Sequence, residues 1–134
     1  MRKRGCFKVL VIVSSMTFIS TAVFYLALWP ALKIKIIEKS LFSINIAVEN
    51  YNIDYPNYKI TTNTAENTSK LLGNNGRKKK YLNSRTVVIK KGILIDYWDR
   101  PLIFQTVNGN TNVFSSGENK IVGDSDDIRS EHNK

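Results

Sequence analysis

Cysteine and histidine are nearly absent from this sequence, which has one of each in 134 residues. Because Cys6 has no second cysteine to pair with, an internal disulfide is excluded. One cysteine and the distant His132 also form neither a nucleophile pair nor a zinc site. No serine lies in a G-x-S-x-G context, and no glycine-rich phosphate loop is present. The sequence therefore does not predict an enzyme, and we expect no catalytic residues and no organic cofactor.

Charged residues, glycine and proline are absent from Val9–Trp29, a run of about 21 residues. At a helical rise of ~1.5 Å per residue, this run is long enough to cross a hydrocarbon core of ~30 Å. The residues before it include four cations and no acid. The positive-inside rule therefore places the N-terminus in the cytoplasm and everything after Pro30 across the membrane. The predicted topology is one span followed by an exported domain.

Two other interpretations of this run fit the sequence less well. A cleaved secretory signal has an apolar core of only ~7–15 residues, followed by small residues at its cleavage site. Ala27–Ala31 instead contains the bulky Trp29 and a proline. A buried core helix is rarely apolar on all faces in so small a protein. A retained membrane helix is therefore the preferred interpretation.

Acidic residues are outnumbered by basic ones, and the formal net charge is +9. The cations are spread along the chain, and Arg77–Lys80 is their one dense cluster. An anionic lipid surface is one partner that such a cluster can contact. The cluster has no interleaved aromatic residues and matches no nucleic-acid motif. We therefore expect a solvated loop here and no nucleic-acid partner.

Residues 31–54 show the periodicity of an amphipathic helix. The apolar positions recur every three or four residues, at Ile34, Ile37, Leu41, Ile44, Val48 and Tyr51. No glycine separates this stripe from the membrane segment, and a long helix can carry Pro30 as a kink. Pro56 should end the helix near Asp54, because the residue before a proline is pushed out of the helical region. The sequence thus predicts one long helix, half in lipid and half packed under the exported domain.

The variable region 55–84 is polar and rich in turn-forming residues. Within it a short helix is predicted to begin at Thr64, as its N-cap, and to end before Gly73.

The region 85–134 predicts a small antiparallel sheet followed by a C-terminal loop. Strand-like runs lie at 85–90, 102–107 and 112–114, with a turn at Asn108–Asn110. Packing this sheet against the helical stripe buries the apolar faces of both, so the predicted fold class is α+β. The segment after these strands has few apolar residues and no strand period.

Acidic residues concentrate near the C-terminus, at Glu118, Asp124, Asp126, Asp127 and Glu131. Carboxylates gathered in one glycine-containing loop repel one another, and this favours a counter-ion. Together with Asn119 and main-chain carbonyls, they offer the oxygen-only shell of ~6–8 ligands that Ca²⁺ prefers. The spacing is not that of an EF-hand, and a solvated acidic tail is the alternative interpretation.

A second pair of acids, Asp96 and Asp99, flanks Trp98 before a proline. A carboxylate pair can in principle act as acid and base. A turn that packs the aromatic side chain onto the domain is the preferred interpretation.

Four segments together resemble a type IV pilin-like protein, and most closely the major (G-type) pseudopilin of the type II secretion system. The basic leader ending at Gly5, before Cys6 and the apolar helix, resembles a prepilin peptidase site. Ile44–Asp54 is similar to the "AIE-Y-ID" helix end of that family. Ile95–Phe104 resembles its D-P-W-G-N-P-Y-x-Y turn and strand. Ser116–Ile128 aligns without gaps on its S-x-G-P-D-G-K-x-G-T-x-D-D-I loop from the second position of that pattern onward.

The resemblance implies a pilin-like fold and a structural role in protein export. Its domain organisation is a leader at 1–5, a transmembrane helix at 6–30 and a periplasmic domain at 31–134. Such subunits stay in the inner membrane until a secretion platform and a cytoplasmic ATPase extract them. The implied partners are a prepilin peptidase, the inner-membrane platform and other pseudopilins, with which the helices form a homo-oligomeric filament.

In that family the C-terminal loop binds Ca²⁺. Carried over by position, the implied ligands are the side chains of Asn119, Asp126 and Asp127, the carbonyls of Ser116 and Ile121, and, as a further candidate, Asp124. Asn119 stands where aspartate is usual, and Lys120 stands where glycine commonly allows a positive φ. The loss of one negative charge predicts weaker Ca²⁺ binding, because ligand charge tunes the affinity.

The sequence departs from the family at the start of the helix as well. Cleavage after Gly5 would place Leu10 where the family has a glutamate that meets a neighbour's N-terminal amine. Lys8 also replaces an apolar residue or threonine, and in the later turn Asp99 and Arg100 replace Gly-Asn. A minor or competence/adhesion-type pilin is therefore an alternative within the class. A membrane-anchored module that binds Ca²⁺ or a partner without assembling is the alternative outside it.

Overall fold

The computed structural model describes residues 3–130, with side chains from residue 13 onward. Two compact units are present, the first ending at Ile34 and the second beginning at Lys35. The elements in chain order are α1 (Lys3–Val23), a π-helical turn (Phe24–Leu28), α2 (Trp29–Asp54), α3 (Thr64–Leu71), β1 (Val88–Lys90), β2 (Ile93–Ile95), β3 (Ile103–Val107), β4 (Asn110–Ser115) and β5 (Ile128–Arg129). The predicted α+β class, with a long N-terminal helix on small antiparallel sheets, is confirmed.

The first unit is helical and apolar. The long helix, described with side chains from Val13, contains an apolar stretch with a mean hydropathy of 1.5, and no residue of that stretch is buried. By length and composition the helix can therefore cross a membrane. Thr17 and Thr21 bond back within the helix, their hydroxyls donating to the carbonyls of Val13 and Thr17 at 3.1 and 2.9 Å. These bonds satisfy two polar side chains without water, as an apolar surrounding requires.

The π-helical turn ends two residues before Pro30. Proline has no N–H to donate and its ring crowds the preceding turn, so a regular α-helix is disturbed at this point. The Trp29 N–H donates to the Phe24 carbonyl, five residues back, which is the pattern of a π-turn. The predicted proline adjustment thus takes the form of a wider helical turn.

The second unit is built on one buried face of α2. The buried residues of this helix are Ile37, Leu41, Ile44, Ala47, Val48 and Tyr51. Ile34, which the sequence places in the same stripe, is 42% exposed and belongs to the first unit, so that assignment was wrong. The helix ends at Asp54, as predicted, and the Tyr55 N–H still donates to the Tyr51 carbonyl at 2.9 Å.

Two antiparallel sheets replace the single predicted one. β1 pairs with β2, and β3, β4 and β5 form a three-stranded sheet in that order. β1 begins at Val88 and not at residue 85, because Thr86 closes a turn through its N–H to the Asn83 carbonyl at 3.1 Å. The turn between β3 and β4 is only Asn108–Gly109, with φ of 51° and 80°, and Asn110 already pairs with Val107.

The N-cap of helix α3 is Asn63. The sequence predicted Thr64 in this role, and that assignment was wrong. The Asn63 side chain accepts from the Glu66 N–H at 3.1 Å. The Thr64 hydroxyl instead donates to the Leu102 carbonyl at 2.9 Å and thereby ties α3 to the start of β3. Gly73, at φ 113°, follows the end of the helix as predicted.

Asn45 joins α2 to the three-stranded sheet. Its Oδ1 accepts from the Val113 N–H at 2.8 Å, and its Nδ2 donates to the Val113 carbonyl at 3.2 Å and to the Ser130 hydroxyl at 3.3 Å. A side-chain amide therefore pairs with a strand residue as a neighbouring strand would.

The end of α2 is held by a charged cluster around Asp54. Its carboxylate accepts from Lys79 Nζ and from the Tyr81 hydroxyl, both at 2.7 Å, and Arg77 lies 3.2 Å away. The sequence predicted a solvated loop here, whereas two cations of the basic cluster form ion pairs with Asp54. The hydrogen bond from Lys79, followed by that from Tyr81, lowers the pKa of Asp54. Burial and then the bond to Asp54 raise the pKa of Tyr81 to about 12.

We predict that Asp54→Asn lowers the pKa of Tyr81 from about 12 but leaves it above its ordinary value of 10.0, because burial, the larger cause, remains. The neutral phenol stabilises the fold fully below pH 10 and loses that effect as the pH rises through about 12. A pH titration of the tyrosine ring carbon-13 signals measures this shift. Asp99→Asn, which removes an ion-paired carboxylate elsewhere, should leave Tyr81 unchanged, and an equal shift in both variants would refute the assignment.

Candidate functional site

The segment Ile95–Phe104 forms a tight turn around Asp96. The Asp96 side chain is buried, and its Oδ1 accepts from the N–H groups of Trp98 and Arg100 at 2.8 and 3.0 Å. The Asp96 N–H donates to the Arg100 carbonyl at 2.8 Å and closes the turn. Trp98 packs against the core. The prediction of a turn that packs an aromatic side chain is therefore confirmed.

The same turn is bonded to the C-terminal loop. Asp96 Oδ2 accepts from the hydroxyl of the fully buried Ser115 at 2.6 Å. The Arg100 guanidinium donates to the carbonyls of Gly117 and Glu118. The turn and the loop, which carry the most specific sequence resemblance, thus form one hydrogen-bonded site.

Two residues of this site have left-handed backbone conformations, Asp99 with φ 60° and Lys120 with φ 72°. In the pattern that the sequence resembles, glycine occupies both positions. An ordinary residue in this region costs roughly 1–2 kcal/mol, which glycine avoids. The backbone at both positions therefore has a conformation that suits glycine, although neither residue is glycine. The Asp99 carboxylate pairs with the Lys90 ammonium on the exposed side.

The C-terminal loop brings three of the predicted ligand side chains together in a ring of hydrogen bonds. Asn119 Nδ2 donates to Asp124 Oδ2 at 2.6 Å, and Asp124 Oδ1 accepts from the Asp126 N–H at 2.9 Å. Asp126 Oδ2 accepts in turn from the Asn119 N–H at 3.0 Å. These N–H donors thus stabilise carboxylates that would otherwise repel one another.

The side chain of Asp127 is only 4% exposed. Its Oδ2 accepts from the Gly123 N–H at 3.0 Å and from the Arg129 guanidinium at 3.1 Å. Its Oδ1 is buried and has no hydrogen-bond partner among the residues that the structure describes. An unsatisfied buried acceptor costs ~1–3 kcal/mol, and a bound cation would remove this cost.

Gly117 allows the loop to close. It has φ 64°, and a Cβ there would overlap both the carbonyl and the carboxylate of Asp126. The backbone therefore passes so close to Asp126 that any side chain at position 117 is excluded.

The side chains of the remaining predicted site residues do not take part in this ring of hydrogen bonds. Ser116 is buried at the start of the loop, and Ile121 is 60% exposed while its N–H donates to Asn119 Oδ1 at 2.8 Å. Gly5 and Cys6 lie in α1, and their side chains are outside the described part of the chain. His132 lies beyond the described residues altogether.

The loop fits Ca²⁺ in donor type and in one open acceptor. All the candidate atoms are oxygens, as Ca²⁺ requires, and Asp127 Oδ1 is unused. Within residues 13–130, however, no three His, Cys, Asp or Glu side chains converge as a metal cluster. Asn119 and Arg129 already donate to carboxylate oxygens of the loop. Donors within the chain thus already stabilise part of the negative charge to which a cation would bind.

Sequence reasoning missed three contributors to this site, namely Ser115, Arg100 and Arg129. Arg129 had a readable signal, because residues two apart in an extended chain lie on one side, and Arg129 follows Asp127 at that spacing. Ser115 and Arg100 had no such signal, since their partners are 19 and 17 residues away in sequence.

Comparisons of the chain with protein-family profiles, with curated proteins and with solved structures find no match.

Proposed function

We propose that this chain is a structural, pilin-like subunit of a type II secretion pseudopilus that assembles through its N-terminal helix and supports protein export. The observation that carries the proposal is the bonding of the Asp96 turn to the C-terminal loop through Ser115 and Arg100. These two segments hold the most specific part of the resemblance, and their contact supports reading them as one motif. The left-handed Asp99 and Lys120 at the family's glycine positions support it further.

The helix supports the same function from the other end of the chain. A filament subunit needs a helix that is apolar on all faces, so that it can leave lipid and then pack among its copies. The side chains of Phe18 and Leu26 are 76% and 81% exposed, as such a helix requires. In this proposal the subunit stays in the inner membrane, with its N-terminus cytoplasmic and its C-terminal domain periplasmic. Its partners are a prepilin peptidase, the secretion platform and other pseudopilins.

A second candidate function is a membrane-anchored module that binds Ca²⁺ or a partner without assembling. Leu10 favours it, because a glutamate at that position would guide assembly in the family that the sequence resembles. The same departure is compatible with a minor or competence/adhesion-type pilin.

We predict that co-expression with a prepilin peptidase shortens the chain by about five residues, detectable by intact mass. For assembly, Cys6→Ser is combined with Phe18→Cys and Leu26→Cys, so that two cysteines per chain can give ladders. A flexible bismaleimide should then produce crosslinked oligomers larger than a dimer, and only when the peptidase and the platform are both present.

The matched control carries Tyr58→Cys and Val107→Cys on the Cys6→Ser background, at side chains that are 73% and 52% exposed on the second unit. It should form no ladder, because the proposed filament is joined through its helices. A chain that is neither shortened nor crosslinked beyond chance collisions would refute the filament function and favour the non-assembling module.

Ca²⁺ binding by the C-terminal loop is the cofactor part of this proposal. Asp127, Asp126 and Asn119 would supply side-chain oxygens, Asp124 a further one, and the main chain at Ser116 and Ile121 the carbonyls. The unpartnered Asp127 Oδ1 is the observation that supports it. The bound ion would neutralise the loop and fix it against the Asp96 turn.

We predict that Ca²⁺ at a hundred-fold excess over its Kd raises the Tm of the full chain in detergent by roughly 10 °C. Asp127→Asn should abolish this rise, because it removes the charge of the carboxylate that has an open acceptor. Near-ultraviolet circular dichroism, which follows Trp98, measures the transition. Glu118→Gln removes one charge from the same loop at an exposed side chain and should keep the rise. An equal rise in both variants, or none in the unmodified chain, would exclude a site at Asp127.

Asn119→Asp should destabilise the protein without Ca²⁺ and favour Ca²⁺ binding when the ion is present. Without Ca²⁺ it is expected to lower the Tm, since a carboxylate would replace the amide that donates to Asp124 at 2.6 Å. With Ca²⁺ it should raise the affinity, because the loop gains a charged ligand. Calorimetric titration and melting with and without chelator measure the two effects. A variant that is less stable under both conditions would show that the amide acts only as a structural donor.

A further inference from the structure

One exposed surface of the second unit combines apolar and basic side chains. Its apolar members are Ile36 of α2, Val88 of β1 and Tyr97, which are 55%, 58% and 42% exposed. The shallow groove that they border has a volume of about 40 Å³. Small-molecule sites occupy ~300–1,000 Å³, so the groove does not indicate a ligand pocket. The feature to be explained is therefore the surface as a whole.

Three exposed cations lie close to Ile36 and Val88 in the sequence, namely Lys35 and Lys39 on α2 and Arg85 before β1. The Ser40 hydroxyl donates to the Thr86 carbonyl at 3.2 Å, which holds the Arg85 segment against α2. We call the six residues Lys35, Ile36, Lys39, Arg85, Val88 and Tyr97 the entry surface. Half-buried Glu38 is the one acid between Lys35 and Lys39, so the surface keeps a net positive charge.

The entry surface lies where the chain enters the second unit. Ile36 lies only six positions after Pro30, which directly follows the apolar run. Six residues reach at most ~20 Å even when fully extended. Whatever the arrangement of the two units, Ile36 of the entry surface cannot lie farther than this from the end of the apolar run.

We propose that the entry surface docks on the anionic phospholipid headgroups of the membrane that holds α1, an inference that rests on the proposed membrane span. Lysine and arginine meet the lipid phosphates, while Ile36 and Val88 contact the boundary of the acyl region. The tyrosine ring of Tyr97 has the amphipathic character that favours the headgroup level. A second copy of the chain is a poorer occupant, because two such surfaces face to face bring like charges together.

The experiment uses the full chain in lipid vesicles, with Cys6→Ser and a single spin label at Val88→Cys. Val107→Cys is the matched control, a valine 52% exposed on the β3–β4 hairpin. The tip of that hairpin borders a groove with Asn52 and Ile53, near the opposite end of α2. Leu26→Cys tests the span itself. Collision with oxygen relative to a water-soluble nickel chelate reports contact with lipid at each label.

In vesicles with about one third phosphatidylglycerol, the oxygen-to-nickel ratio at Val88→Cys should be at least about two-fold that at Val107→Cys. It should fall to the control value in pure phosphatidylcholine. The triple variant Lys35→Glu, Lys39→Glu and Arg85→Glu should abolish the difference. The equally charged triple variant Lys59→Glu, Lys78→Glu and Lys80→Glu, at exposed lysines elsewhere, should preserve it.

Three results would overturn the docking surface in distinguishable ways. Equal ratios at Val88→Cys and Val107→Cys, with Leu26→Cys immersed in lipid, would refute docking and leave the span intact. A water-exposed Leu26→Cys label would refute the span and the docking that rests on it. Dipolar broadening between Val88→Cys labels in either lipid would identify a second copy as the occupant.

Discussion

Burial of one face of α2 is the constraint on which the small second unit depends. Full burial of a large apolar side chain contributes ~1.5–3 kcal/mol, and a unit of this size without a disulfide has few other sources of stability. Residues from all the other parts of the unit complete the core on this face, including Ile60, Leu71, Leu94, Phe104 and Val113. Asn45 adds three hydrogen bonds beside the same face and thereby fixes β4 against the helix. A helix whose first half is apolar and long enough to cross a membrane thus serves as the scaffold of the second unit in its second half.

The buried Asp96 has the corresponding role at the candidate site. A buried carboxylate is costly unless donors surround it, and Asp96 has two main-chain N–H groups and the Ser115 hydroxyl. Because Ser115 ends β4, this one side chain fixes the turn and the start of the C-terminal loop together. Arg100 extends the link to the loop carbonyls. The position of the acidic loop is therefore set by residues outside it, while its internal charges are balanced by Asn119 and Arg129.

Long periodic segments were predictable from the sequence, and short pairings were not. The stripe from Ile37 to Tyr51 and the end of α2 at Asp54 follow from side-chain spacing and from Pro56. β2 was missed because three apolar residues between Gly92 and Asp96 show no alternation. β5 has two residues, and only its pairing with Phe114 and Ser115 makes it a strand. The gathering of the loop acids was predictable from composition, whereas their hydrogen-bond partners depend on tertiary contacts that no local pattern encodes.

Two departures from the resembled family each remove a carboxylate, and they have a common physical consequence. Asn119 donates to Asp124, where an aspartate would need a cation between the two side chains. Leu10 lies near the start of the apolar run, where a charged residue would cost less than the ~2.5–3.5 kcal/mol of the membrane centre but would still need a partner. Both changes reduce the negative charge that a bound cation or a neighbouring chain would have to neutralise. In the proposed filament, assembly would therefore draw on apolar contacts along the helix and not on an ion pair at position 10.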